Sequence, residues 1–107
     1  MSAPNLTGRD LAVLIPTKDR PEHLENVLQS LAEQTEPCGR VIVVDGGQST
    51  RAVVGAFAGQ LDVEYQPCHP PGQLRQRRLG LERIRPHDKL VALLDDDIVL
   101  EPDALAQ

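Results

Sequence analysis

Apolar residues fall in short runs along the 107-residue chain, separated by polar stretches with a helical period. Leu11-Ala12-Val13-Leu14-Ile15 is an unbroken aliphatic run closed by Pro16, which suits a strand buried on both faces. A polar loop, Thr17 to Arg20, leads to Pro21, a residue that fits the first turn of a helix. Leu24, Val27, Leu28 and Leu31 recur at i, i+3, i+4 and i+7, one apolar helix face that ends at Glu36-Pro37-Cys38-Gly39. Val41 to Val44 predicts a second buried strand, closed by Asp45-Gly46-Gly47, and a short, weaker helix is expected over 51–58. Val63 to Tyr65 reads as a third strand, and 67–72 as a constrained loop. Leu74, Arg78, Leu81 and Ile84 place an Arg-rich helix after it. Leu90 to Leu94 predicts a fourth strand that runs into Asp95-Asp96-Asp97, and Glu101-Pro102-Asp103 opens a further helix toward Gln107.

This β-α-β-α-β-α-β alternation predicts an α/β fold with a mainly parallel, doubly wound sheet and helices on both faces. Residues 1–10 read as a loose leader and 11–107 as a single domain. In such folds ligands bind beyond the carboxyl ends of the strands. Thr17-Lys18-Asp19, Asp45-Gly46-Gly47 and Asp95-Asp96-Asp97 all sit at such ends.

Composition narrows the function classes. Phe57 and Tyr65 are the only rings, so the core is aliphatic and the stacking platforms of single-strand nucleic-acid binders are missing. The net charge of −5 also argues against a nucleic-acid partner. That charge is unevenly spread: residues 73–87 hold five Arg against one Glu, whereas 88–107 hold six acids against Lys89. A basic helix beside an acidic strand end is what a phosphate-plus-metal site needs. Cys38 and Cys68 form no CxxC pair and read as reduced thiols, and His23, His69 and His87 are scattered. No apolar segment follows Met1, and Leu90 to Leu94 is far too short to span a membrane, so a cytoplasmic location is expected. No G-x-G-x-x-G, Walker A or Ser/Cys nucleophile constellation is present.

Three clusters are candidates for chemistry. Adjacent carboxylates at the end of a buried strand repel one another unless a divalent cation neutralises them, and hard cations choose oxygen ligands. Strand alternation projects Asp95 and Asp97 together and Asp96 the other way, with a solvated acidic turn as the competing reading. Asp45 is placed to accept a hydrogen bond from a base or ribose, while Gly46-Gly47 let backbone approach a ligand; the competing reading is a plain Asp-Gly turn. Arg77 and Arg78 lie near a helix start, where guanidinium forks suit phosphate oxygens, while Arg83 and Arg85 read as a solvated basic face.

In order, these pieces resemble the N-terminal half of the family 2 glycosyltransferases, which adopt the Rossmann-like GT-A fold. Residues 13–21 are similar to that family's "IPTxNRP" strand and loop, 28–35 to its "SLxxQT" helix and 41–47 to "IIVVDDGS". Residues 72–80 are similar to "GxxxARNxG", and 94–97 with 102–105 to the DxD strand and its trailing "PxxL". The resemblance implies transfer of a sugar from a nucleoside diphosphate donor, with a UDP-sugar favoured, to an acceptor hydroxyl. It implies that Pro16 and Thr17 border the base, that Asp45 contacts it, that Arg77 lies near the nucleotide-sugar and that Asp96 touches ribose or sugar. Asp97, with Asp95, would hold Mg²⁺ or Mn²⁺. Asp19, Gly46 and Arg78 depart from the pattern, standing where Asn, Asp and Asn are usual.

The resemblance also implies that the acceptor site and general base lie beyond the DxD strand, so the stretch in hand is the donor-binding half. The full-length protein is then expected at the inner face of the membrane, and this half to self-associate through an exposed sheet edge. A non-catalytic, nucleotide-binding remnant or split-protein half is one alternative function. A metal-dependent nucleotidyltransferase is another, disfavoured because Ile15 to Asp19 is not a Gly-rich phosphate loop.

Overall fold

The computed structural model of the chain describes residues 8–86 and 88–106. Residues 1–7 of the expected leader and His87 lie outside them; Gly8–Asp10 form one 3₁₀ turn. Four strands, β1 (Leu11–Thr17), β2 (Arg40–Asp45), β3 (Val63–Pro67) and β4 (Leu90–Leu93), form an all-parallel sheet in the order β3-β2-β1-β4. Three helices, α1 (Pro21–Ala32), α2 (Arg51–Gly55) and α3 (Gln73–Leu81), connect them.

The period-2 alternation of the strands divides the core. Val13, Ile15, Val41 and Val43 face α1 and α2, where Leu24, Val27, Leu28, Leu31, Val54 and Phe57 meet them. Leu14, Ile42 and Val44 face the other side, with Cys68, Leu79 and Ile84. The chain steps from β1 outward to β3 with its helices on one face, then returns past β1 with α3 on the other. A right-handed crossover in each direction requires that change of face. α3 packs tightly: a Cβ on Gly80 would lie 2.1 Å from a methyl of fully buried Leu14. Gly80→Val is therefore expected to cost roughly 2–3 kcal/mol by overpacking, read from a urea midpoint, against the few tenths that valine gains in helix propensity.

Three elements differ from the sequence expectation. The second helix was expected over 51–58 but closes at Gly55; the amides of Phe57, Ala58 and Gln60 bond three residues back, which lets Phe57 and Leu61 reach the core. β4 is half-exposed, because it is an edge strand with free sides at Leu90, Val91 and Leu93. Of the helix expected from Glu101 toward Gln107, the described residues 101–106 give one 3₁₀ turn, Ala104–Ala106, and Gln107 lies outside them. Gln34 holds that segment: its Nε2 donates to the Glu101 carbonyl at 2.7 Å and its Oε1 accepts from the Leu105 amide at 3.0 Å. Leu94, Leu100 and Leu105 then pack on the α1 side of the core. Both cysteines are free thiols, and burial, with Asp62 adding, pushes the Cys38 thiol above its usual range. Among the described residues no helix is long and apolar enough to cross a membrane.

Candidate functional site

The strand order reverses direction between β1 and β4, and a cleft of about 500 Å³ opens at their carboxyl ends. Such a reversal splays the flanking loops apart, which is why open α/β sheets bind ligands there. Pro16, Thr17, Lys18 and Arg20 line it from the β1 side, Gly72, Gln76 and Arg77 from α3, and Asp95, Asp96 and Asp97 from β4.

Asp96 turns inward, at 7% exposure, and ties the two strand ends together. Its Oδ2 accepts from Thr17 Oγ1 at 2.8 Å and its Oδ1 from Arg20 Nη1 at 3.2 Å. Asp95 and Asp97 are exposed on the cleft, so exposure alternates along the acidic run. Arg77 is half-buried there, and its buried Nε has no hydrogen-bond partner among the described residues. A donor desolvated without an acceptor is costly, and an anionic ligand in the cleft would relieve it.

Gln76 positions that arginine, and nothing in the sequence singled it out. Its buried amide donates to the carbonyls of Thr17 at 2.9 Å and Val44 at 3.0 Å, and accepts from the Gly72 amide at 3.3 Å. It thus bonds carbonyls near the carboxyl ends of two strands and pins the start of α3 over the cleft. Arg20 was likewise missed; the signal was its place in the first polar loop.

Asp45 is not brought into the cleft lining. It is fully buried, accepting from Gly47 N at 2.9 Å, Thr50 N at 3.1 Å, Thr50 Oγ1 at 2.8 Å and Tyr65 Oη at 2.6 Å. The adjacent glycines serve protein contacts here: a Cβ on Gly46 would strike Pro71 and Gln76, and one on Gly47 would strike Asp19. Asp19 itself adopts a left-handed conformation, φ 53°, that Asn and Asp tolerate best, and its Oδ1 accepts from the Gln48 amide at 2.8 Å. The Asp-for-Asn departure in this loop keeps both functions. Arg78 is exposed outside the cleft lining. Arg83 and Arg85 are not merely solvated, since both reach Glu64, at 3.7 and 3.4 Å.

The donor set suits a hard divalent cation only in part. Among the described residues no three His, Cys, Asp or Glu side chains gather to hold a metal. Asp95 and Asp97 offer oxygen ligands on the cleft, and an ion held by two carboxylates keeps positions for ligand oxygens.

Residues 12–107 match the sequence family described as Glycosyl transferase family 2. The chain belongs to this family. No curated protein matches it. Solved structures share its fold. S. aureus TarS 1–349 in complex with UDP superposes with a TM-score of 0.77 at 23% identity, over 90% of this chain and 30% of that one. The same protein with UDP-GlcNAc gives 0.70 at 24% identity, over 81% and 26%. The mannosyltransferase PcManGT from Pyrobaculum calidifontis, in complex with GDP-Man and Mn²⁺, gives 0.73 at 21% identity, over 84% and 28%. This family 2 chain thus spans less than a third of each structure's length, and at these identities the likeness is one of GT-A fold.

Proposed function

We propose that the cleft between β1 and β4 binds a nucleoside diphosphate sugar, with a UDP-sugar favoured, as the donor side of glycosyl transfer to an acceptor hydroxyl. The observation that carries this reading is the partnerless Nε of Arg77, set in one cleft with the carboxylates of Asp95 and Asp97. A cation and a pair of anions facing one cleft suit a ligand that is itself a metal diphosphate. Pro16 and Thr17 border the nucleoside, and Asp96 fixes Thr17 and Arg20 around it. Asp45 acts at one remove, by holding the loop after β2 through Gly47 and Thr50. The residues that would hold Mg²⁺ or Mn²⁺ are Asp95 and Asp97, and the ion would supply charge neutralisation to the departing diphosphate. The bound nucleotides and the Mn²⁺ of the structural neighbours support this choice of ligand.

A charge-assisted hydrogen bond is worth about 1.5–3 kcal/mol, or roughly 10- to 100-fold in affinity. Arg77→Met is therefore expected to weaken UDP binding by at least about tenfold in calorimetric titration. Arg83→Met, outside the cleft, is expected to change it by less than about twofold, since exposed ion pairs contribute little. Equal affinities for the two variants would remove Arg77 from the site.

A further inference from the structure

The acceptors at the carboxyl end of β2 are taken up within the protein. Asp45 is fully buried, with Oδ1 accepting from the Gly47 amide and Oδ2 from the Thr50 amide, the Thr50 hydroxyl and Tyr65 Oη. Tyr65 is itself held in place, since the Arg51 guanidinium lies over its ring at 4.6 Å. The next residue, Gly46, presents no side chain, and none fits there. A Cβ would lie 2.7 Å from Pro71 Cβ and 2.8 Å from Gln76 Oε1. Nearby carbonyls are occupied as well. That of Thr17 accepts from the Gly46 amide at 2.9 Å and from Gln76 Nε2, that of Val44 from Gln76 Nε2, and that of Asp45 from the Cys68 amide at 2.7 Å.

Uracil and cytosine are rings of one size that differ at a single edge. Uracil presents an N3–H donor beside a carbonyl, whereas cytosine presents an N3 lone pair beside an amino group. A carboxylate aimed at that edge accepts from uracil and repels the cytosine lone pair. A charge-assisted hydrogen bond of this kind is worth roughly 10- to 100-fold in affinity. We propose that the donor site does not tell these two bases apart and takes UDP and CDP alike, because Tyr65 and Thr50 withdraw the Asp45 carboxylate from the base. The proposal rests on the donor reading above and widens its ligand to pyrimidine nucleoside diphosphates of either kind. Affinity is carried by what the two nucleotides share. The diphosphate meets Arg77 and the metal at Asp95 and Asp97, and the ring lies by Pro16 and Pro71, which both line the cleft. Tyr65 is a positioning residue here: it touches no ligand and acts on selectivity through Asp45.

Calorimetric titration of UDP and of CDP, each with Mn²⁺, into the wild-type chain reads the selectivity directly. Dissociation constants within about fivefold of each other are expected, and a wider gap in either direction would overturn the proposal. Two variants locate the cause. Asp45→Asn and Tyr65→Phe both disturb the loop after β2, so each should shift UDP and CDP by one common factor and leave their ratio within about twofold of the wild type. A change confined to UDP in either variant would put Asp45 against the base and overturn the proposal. The wild-type ratio needs neither variant, so misfolding of one of them leaves the test intact. Absence of binding by both nucleotides would instead strike the donor reading, an outcome distinct from selective binding of UDP.

Discussion

Asp88→Ala is expected to destabilise the fold by about 2–4 kcal/mol, because it takes from a buried guanidinium the more buried of its two carboxylates and leaves Nε without an acceptor. Arg40 opens β2 with its side chain 3% exposed, and Asp88, 1% exposed, sits just before β4. Arg40 Nε donates to Asp88 Oδ2 at 3.0 Å, its Nη1 to Glu64 Oε1 at 3.2 Å and its Nη2 to the Arg83 carbonyl. Asp88 Oδ2 also accepts from the Arg85 amide at 2.8 Å. The network ties the amino ends of β2, β3 and β4 together, at the end of the sheet opposite the cleft. Small domains hold only about 5–15 kcal/mol in total, so the loss would take the protein close to unfolding. Replacing the pair together, as Arg40→Met with Asp88→Leu, should recover most of it, since paired buried charges and apolar residues of similar volume are often near equal. Urea denaturation measures both. A single-variant loss under about 1 kcal/mol would mean that water reaches the pair and screens it.

Legibility in the sequence followed the reach of each interaction. β1 and β2 announced themselves because strands covered on both faces need unbroken aliphatic runs, and Val13 to Ile15 and Val41 to Val44 supply them. α1 was legible from the 3.6-residue period of Leu24, Val27, Leu28 and Leu31. The cleft was legible in outline, since parallel strands bring Thr17 and the acidic run to one end of the sheet. What was hidden depends on partners far along the chain. Arg40 gives no local sign of burial, because Asp88 lies 48 residues away. Asp45 looked like a ligand-binding carboxylate, yet Tyr65, 20 residues on, takes one of its oxygens. Gln76 reads as one more polar residue on a basic helix until the ends of β1 and β2 are seen beneath it. The short α2 was expected, but its end at Gly55 was hidden because the demand came from the core, where Phe57 and Leu61 must both dock.

Mn²⁺ and UDP are expected to raise each other's affinity by about tenfold or more in this chain, and Asp97→Asn is expected to abolish that coupling. Two exposed carboxylates attract a divalent cation only modestly in water, where charges 4 Å apart gain about 1 kcal/mol. Two ligands also leave the ion well short of its six or more oxygens, so the metal alone should bind weakly. A diphosphate would complete the set, held in turn by the metal and by Arg77, whose buried Nε has no acceptor among the described residues. Because linkage is reciprocal, one coupling factor must appear in both titrations. Asp97→Asn keeps the shape of an exposed side chain and removes one of the two anionic ligands, so it tests the metal without testing the fold. Glu25→Gln, on exposed α1 surface, is the matched loss of charge elsewhere. The deciding measurement is the UDP dissociation constant by calorimetry, with and without Mn²⁺, in the wild-type chain and these two variants. The account predicts metal-enhanced binding in the wild type and in Glu25→Gln and none in Asp97→Asn; UDP binding that ignores Mn²⁺ throughout, or coupling that survives Asp97→Asn, would contradict it.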